Sequence, residues 1–241
     1  MIAVHGLGGD WETTWTHRTT GKLWLRDFLP QQFGTVRVMS FGYDSAYILS
    51  ASITDINDAS ASLLDRLNGE RQQGSARRRP IIFVAHSLGG IVVKRVGFSR
   101  YKLPYIGADD HQALNLGLER SDQWKDMIDS IAGVIFFAVP HRGADAGYWA
   151  NLAANAVSFA TLGTHGSSVL VRSLKRNSEE FSNISQAFIQ PAARIPIIRT
   201  FYETVKIGNQ LVSRPRCSIW SSLTQWILDR RQRLCQPTST K

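Results

Sequence analysis

The run Ile81-Ile82-Phe83-Val84-Ala85-His86-Ser87-Leu88-Gly89-Gly90-Ile91-Val92-Val93-Lys94 sets one serine where nucleophilic chemistry is easily done. An apolar, β-branched strand pattern ends, Ser87 follows, and a helical pattern starts at once, which is the layout of a nucleophile elbow. The sharp turn aims the Ser87 hydroxyl outward. The positive end of the following helix and the Leu88 N–H stand ready to hold an oxyanion. Ala85 and Gly89 are small because neighbouring backbone must pack closely here; Ala85 stands where such elbows usually carry glycine. A second oxyanion donor is required. His5-Gly6-Leu7-Gly8-Gly9 offers one in the Leu7 N–H, because a glycine-rich turn after the first strand lets backbone approach a ligand.

A serine nucleophile also needs a base and an acid that orients it, in the chain order Ser, acid, His for this arrangement. Glu203 ends the strand-like run Ile197-Ile198-Arg199-Thr200-Phe201-Tyr202 and is the expected acid. Asp145, after the turn Pro140-His141-Arg142-Gly143-Ala144, is the alternative. No base follows: the histidines are His5, His17, His86, His111, His141 and His165, all before Glu203. His5, His86 and His141 read as shaping the turns of the site. His86 flanks the nucleophile with its side chain expected to point away from the Ser87 hydroxyl. Loop residues His17, His111 and His165 have nothing in the sequence that favours them as substitutes. A chain without its base keeps binding and the oxyanion hole but little turnover. An uncharged stretch from Gly147, with Trp149, Leu152, Ala156 and Phe159 at helical spacing, suits either a cap beside the site or an ordinary buried helix.

The elements that must position these residues alternate. Ile2–Val4, Val36–Phe41, Pro80–Ala85, Gly133–Val139 and Ile195–Phe201 read as buried strands. Ile53, Ile56, Ala59, Leu63, Leu64 and Leu67 make one helical face; Leu170, Leu174, Phe181, Ile184 and Phe188 make another. The polar stretch Tyr101–Asp122 reads as an excursion before the fourth strand. Near-continuous apolar strands separated by helices predict an α/β fold, its mostly parallel sheet covered by helices on both faces. One domain is expected over 1–212, followed by an atypical basic tail, 213–241.

Charge separates the two. The formal net charge is +9 over 241 residues, which alone would suggest an anionic partner. Met1–Ile207 carries 22 basic and 18 acidic residues, whereas Gly208–Lys241 carries 6 basic and one acidic. The body is nearly neutral, which argues against nucleic acid as a partner. Both cysteines, Cys217 and Cys235, lie in the tail, so no disulfide framework or cysteine zinc site is expected in the body, and no metal or cofactor is called for. No secretory leader or clean membrane span is visible. In the tail, Ile219, Trp220, Leu223, Trp226 and Ile227 precede Arg230, Arg231 and Arg233. They read as an interfacial helix or as a non-native extension.

The set VHGLGG, WLRDFLP, FGYDS, HSLGGIVVKR, GVIFFAVPHRG and FYET, in that order, resembles the lipase-like α/β-hydrolase domain of the serine-active-site-containing protein family. The likeness is closest to fungal versions fused to nucleotide-binding and ankyrin or TPR regions, and it covers roughly Ile2 to Val212. It implies the α/β-hydrolase fold and serine esterase, lipase or acyltransferase-type activity on acyl esters. It also implies an intracellular place, cytoplasmic or peripheral on mitochondrial or endoplasmic reticulum membranes. The family carries a carboxylate in the F-Y-E-T segment, as Glu203 does here, followed by a strand and a histidine. After Val212 that pattern is lost, just where both cysteines and most of the excess positive charge begin. The expectation is a shifted reading frame or retained intron there, with the last strand and its histidine missing. Three readings stay open: an ester hydrolase using Ser87, Glu203 and a histidine outside the given sequence; a degenerate hydrolase that binds an acyl ligand or partner; and, last, a membrane- or nucleic-acid-binding module driven by the basic tail.

Overall fold

A computed structural model of the chain describes residues 1–45, 54–72, 74–98, 121–141, 167–201, 206–207 and 210–211. Two compact units emerge, Met1–Thr200 and Phe201–Lys241. In the second, β6 (Lys206–Ile207) and β7 (Gln210–Leu211) form a two-stranded antiparallel ribbon.

The first unit is built on a five-stranded sheet of order β2-β1-β3-β4-β5. Its strands are β1 (Ile2–Val4), β2 (Met39–Phe41), β3 (Ile81–His86), β4 (Ile131–Phe137) and β5 (Ile197–Phe201). The β1–β2, β1–β3 and β3–β4 pairs are parallel. Register explains why these strands are apolar throughout. Ala3, Val84 and Ile135 align across the sheet and are fully buried on one face. Their neighbours Val4, Ala85 and Phe136 align on the other and enter the main core. A sheet covered on both faces has no place for alternating polar residues. This is an α/β fold, as the alternating pattern predicts.

The helices are α1 (Trp24–Asp27), α2 (Leu29–Gln32), α3 (Thr54–Arg71), α4 (Leu88–Phe98), α5 (Ser121–Asp129), α6 (Ser167–Ala187) and α7 (Ile189–Ala192). α4 is the central one, packing against α3, α6, β1 and β3. Leu88, Ile91, Val92, Val93, Lys94 and Val96 are all buried, as a helix surrounded by other elements requires. The predicted face of α3 is buried at Ile56, Ala59, Leu63, Leu64 and Leu67. Between these residues, the Ser60 hydroxyl bonds the Ile56 carbonyl at 2.7 Å and reaches the Val92 carbonyl at 3.1 Å, tying α3 to α4.

Strand bounds differ from the sequence reading for local reasons. β2 starts at Met39 rather than Val36 because the Val36 N–H closes a turn onto Phe33 O at 2.8 Å, and the partner strand β1 is only three residues long. β4 ends at Phe137 rather than Val139 because Ala138 turns into the left-handed region, at φ 51°. β5 starts at Ile197 because the Ile195 N–H closes onto Ala192 O at 3.1 Å. The polar stretch before β4 ends in α5, which buries Trp124 and Met127. Among the described residues, no helix is long and apolar enough to cross a membrane. The cap-like stretch from Gly147 and the basic helix of the tail lie outside the described residues.

Candidate active site

Ser87 stands between the last residue of β3 and the first residue of α4. Its φ is 52°, one of two positive values among described non-glycine residues; the other is Ala138. A residue bearing a Cβ is strained in this region, and such strain is held only where surrounding contacts impose it. The contacts are visible. The Ser87 N–H donates to Phe137 O at 2.9 Å, carrying the β3–β4 ladder one residue past the strand, and Gly90 N–H donates to Ser87 O at 2.9 Å.

The glycine-rich turn presses on this elbow from β1. A Cβ on Gly6 would lie 2.7 Å from the Ser87 Cβ and 2.9 Å from His86 Nδ1. A Cβ on Gly89 would overlap the carbonyl oxygens of Val4 and His5. The two motifs separated by some eighty residues of sequence are therefore in van der Waals contact, with glycine on each side of the seam. Leu7 lies in the next position of the turn, partly buried against the core, and Leu88 is fully buried at the helix start. Among the described residues, neither Leu7 N–H nor Leu88 N–H donates to a main-chain acceptor beyond its own helix.

The turn is braced by residues to which the sequence assigned no role in the site. Tyr43 stacks on His5 with ring centroids 4.4 Å apart, and its hydroxyl donates to His5 O at 2.8 Å. The Tyr43 N–H donates to His5 Nε2 at 3.3 Å, which leaves Nδ1–H to donate to Gly6 O at 3.0 Å. Ser45 Oγ accepts from the Gly8 N–H at 3.0 Å. Tyr43 and Ser45 belong to the F-G-Y-D-S run, which enters the sequence reading only through the family resemblance and carries no chemical signal of its own.

The histidines are occupied elsewhere. Both His5 nitrogens are used within the turn, and burial lowers its pKa. His86 lies against Gly6, and burial, with His5 nearby, lowers it to about 4. His141 shares a hydrogen bond with Thr200 Oγ1 at 3.0 Å, and burial, with Lys94 nearby, lowers it to about 4. His17 accepts from the Thr20 N–H at 3.2 Å in an exposed turn. Glu203, Asp145, His111 and His165 lie outside the described residues. The structure thus brings together Ser87, Leu88, Gly89, Gly6, Leu7, His5 and His86, and it directs His141 toward β5. Among the described residues, no cluster of three His, Cys, Asp or Glu side chains could hold a metal ion.

The two depressed histidines set an acid limit on stability. In the unfolded chain they take up protons near the ordinary value of 6.5, whereas in the fold they resist protonation down to about 4. Stability is therefore present above about pH 6.5 and is lost as the pH falls toward 4. Urea unfolding at pH 7 and pH 4.5 should show the drop, and His141→Gln should flatten it in part. A slope unchanged by that substitution would exclude His141 as a contributor.

No family model and no solved structure matches the chain. The chain is similar to Protein SERAC1 of Danio rerio, 24% identical over 161 residues, which is 59% of this chain and 22% of the relative. It is also similar to Protein SERAC1 of Mus musculus and of Bos taurus, each 21% identical over 160 residues, 60% of this chain and 22% of the relative. The relationship is distant, and the match spans 22% of the length of these curated relatives.

Proposed function

We propose that the chain is a serine carboxyl-ester hydrolase domain of lipase or esterase type, built on the α/β-hydrolase plan, with Ser87 as nucleophile. The observation that carries this reading is the strained Ser87, at φ 52°, standing at the start of α4 with Gly6 wedged against it. Strain of this kind is costly and clusters at active sites. The distant similarity to SERAC1 and the lipase-like motif order support the same reading. The Ser87 Oγ attacks the acyl carbonyl carbon, and its proton passes to a base. The alkoxide formed on the carbonyl oxygen is held by the Leu7 and Leu88 N–H groups; its collapse breaks the ester C–O bond, the alcohol leaves with the proton from the base, and the acyl group stays on Ser87 Oγ. Water then attacks this acyl-serine, giving its proton to the base, which returns it to Ser87 Oγ as the carboxylic acid leaves. Glu203 is the proposed acid and Asp145 its alternative. The substrate is a lipid or other acyl ester, met in an intracellular setting with peripheral contact to a membrane of the mitochondrion or endoplasmic reticulum.

A second reading has its own observation. His5, His17 and His141 are each engaged in hydrogen bonds of their own turns or of β5, and His86 is held near pKa 4 by burial. A domain so arranged binds an acyl ligand without turning it over. Fluorophosphonate labelling separates the two. Attack by Ser87 Oγ on phosphorus expels fluoride and leaves a stable adduct, which intact-mass analysis detects. An adduct on Ser87 supports the hydrolase; a folded chain that stays unlabelled supports the binding domain.

A further inference from the structure

We infer that Lys94 is a positioning residue that clamps the Phe137–Pro140 turn to the nucleophile helix, and so holds Ser87 in its strained conformation. The inference rests on the reading of Ser87 as nucleophile only for its catalytic consequence.

Lys94 lies within the apolar run Ile91-Val92-Val93-Lys94 of α4 and is fully buried. Its Nζ donates to Pro140 O and to Ser185 Oγ, the latter at 2.9 Å, and stands 5.7 Å from the Phe136 ring centroid. Among the described residues no carboxylate pairs with it, and burial lowers its pKa to about 7. A buried lysine whose partners among the described residues are both neutral opposes folding, so packing does not account for it. Position does. Gly90 and Lys94 are four residues apart and share a face of α4. Val139 lies directly on Gly90, where a Cβ would overlap its side chain, and Pro140 O meets Lys94. Immediately before Val139 is the strained Ala138, and before that Phe137 O accepts from the Ser87 N–H. The segment after β4 is therefore pinned to the nucleophile segment at three successive points. The middle of that strip contains one strained residue and its far side the other. Release of the Lys94 end lets Ala138 relax toward ordinary backbone, and the Phe137 O–Ser87 N bond loosens with it.

Hydrogen exchange on the full chain tests the clamp without any need for catalysis. In Lys94→Met, the Ser87 amide should exchange about tenfold faster, the loss expected when a charged donor is removed from a local network. The Ile81 amide, bonded to Ser130 O at 2.8 Å at the other end of β3, should keep its rate. Where Lys94→Met does not fold, Ser185→Ala replaces it and should give a smaller acceleration confined to the same amide. Equal changes at Ser87 and Ile81 would reduce Lys94 to general packing, and no change at Ser87 in a folded variant would remove the clamp. The rate of fluorophosphonate labelling should fall in parallel with the exchange result. A parent chain that never labels overturns the hydrolase reading and leaves the clamp to be judged on exchange alone.

Discussion

On the proposed hydrolase reading, Ser87→Gly and Ser87→Ala should both abolish fluorophosphonate capture and ester turnover, and on either reading the glycine variant should be the more stable of the two. The first half follows from chemistry. Without the hydroxyl no acyl-enzyme forms, and loss of a triad nucleophile costs on the order of 10⁶ in kcat in serine hydrolases of known mechanism. The second half follows from geometry. At φ 52° the Cβ of position 87 crowds the backbone, at about 1–2 kcal/mol for a residue in this region. Alanine keeps that Cβ and its strain, whereas glycine removes both. Part of the gain is returned through the greater freedom of glycine in the unfolded chain. The net difference should be about 1 kcal/mol in favour of glycine, or roughly 2–4 °C in midpoint for a chain of this size. Differential scanning of the two variants reads it. Equal midpoints would mean that the strain at Ser87 is not stored in the fold.

Gly89→Ala should be the most damaging glycine-to-alanine change among the described residues. Alanine is ordinarily the better helix residue, by about 1 kcal/mol over glycine. Here the added carbon would overlap the carbonyl oxygens of Val4 and His5. Both belong to or adjoin β1, which is held on both edges by β2 and β3, so the backbone cannot yield without breaking the sheet. Overpacking against an immobile wall costs about 3 kcal/mol. Set against the helix gain, the net loss is about 2 kcal/mol, and the unfolding midpoint should fall by about 4–8 °C. The contrasting control is Gly69→Ala on α3, where a Cβ meets nothing within 4 Å and should cost nothing. A Gly89→Ala midpoint matching the control would refute the close seam between the glycine turn and the nucleophile helix. The same seam explains why Gly6 lies against Ser87: the two turns are built as one contact, and either glycine lost displaces the other turn.

The sequence alone was enough for the α/β class, the strand order along the chain, and the two turns that meet at Ser87. Each of these is written in local chemistry: β-branched runs before glycine turns, a serine at a strand-to-helix junction, and helical spacing at Ile56, Ala59, Leu63 and Leu67. The tertiary structure decided what local chemistry does not encode. His5 is committed at Nδ1 by Gly6 O and at Nε2 by the Tyr43 N–H, with the Tyr43 ring stacked on it; the Tyr43 contacts have no local signature because they come from 38 residues away. The engagement of His141 with Thr200 likewise depends on β4 and β5 being neighbours. The ends of β2 and β4 were set by a turn at Val36 and by the left-handed Ala138, since pairing partners, rather than side-chain preference, decide where a strand stops. In the sequence Lys94 stands only as the last residue of the run around Ser87, with no role assigned to it. Its meaning came from Pro140 and Ser185, which the fold alone carries to its ammonium group.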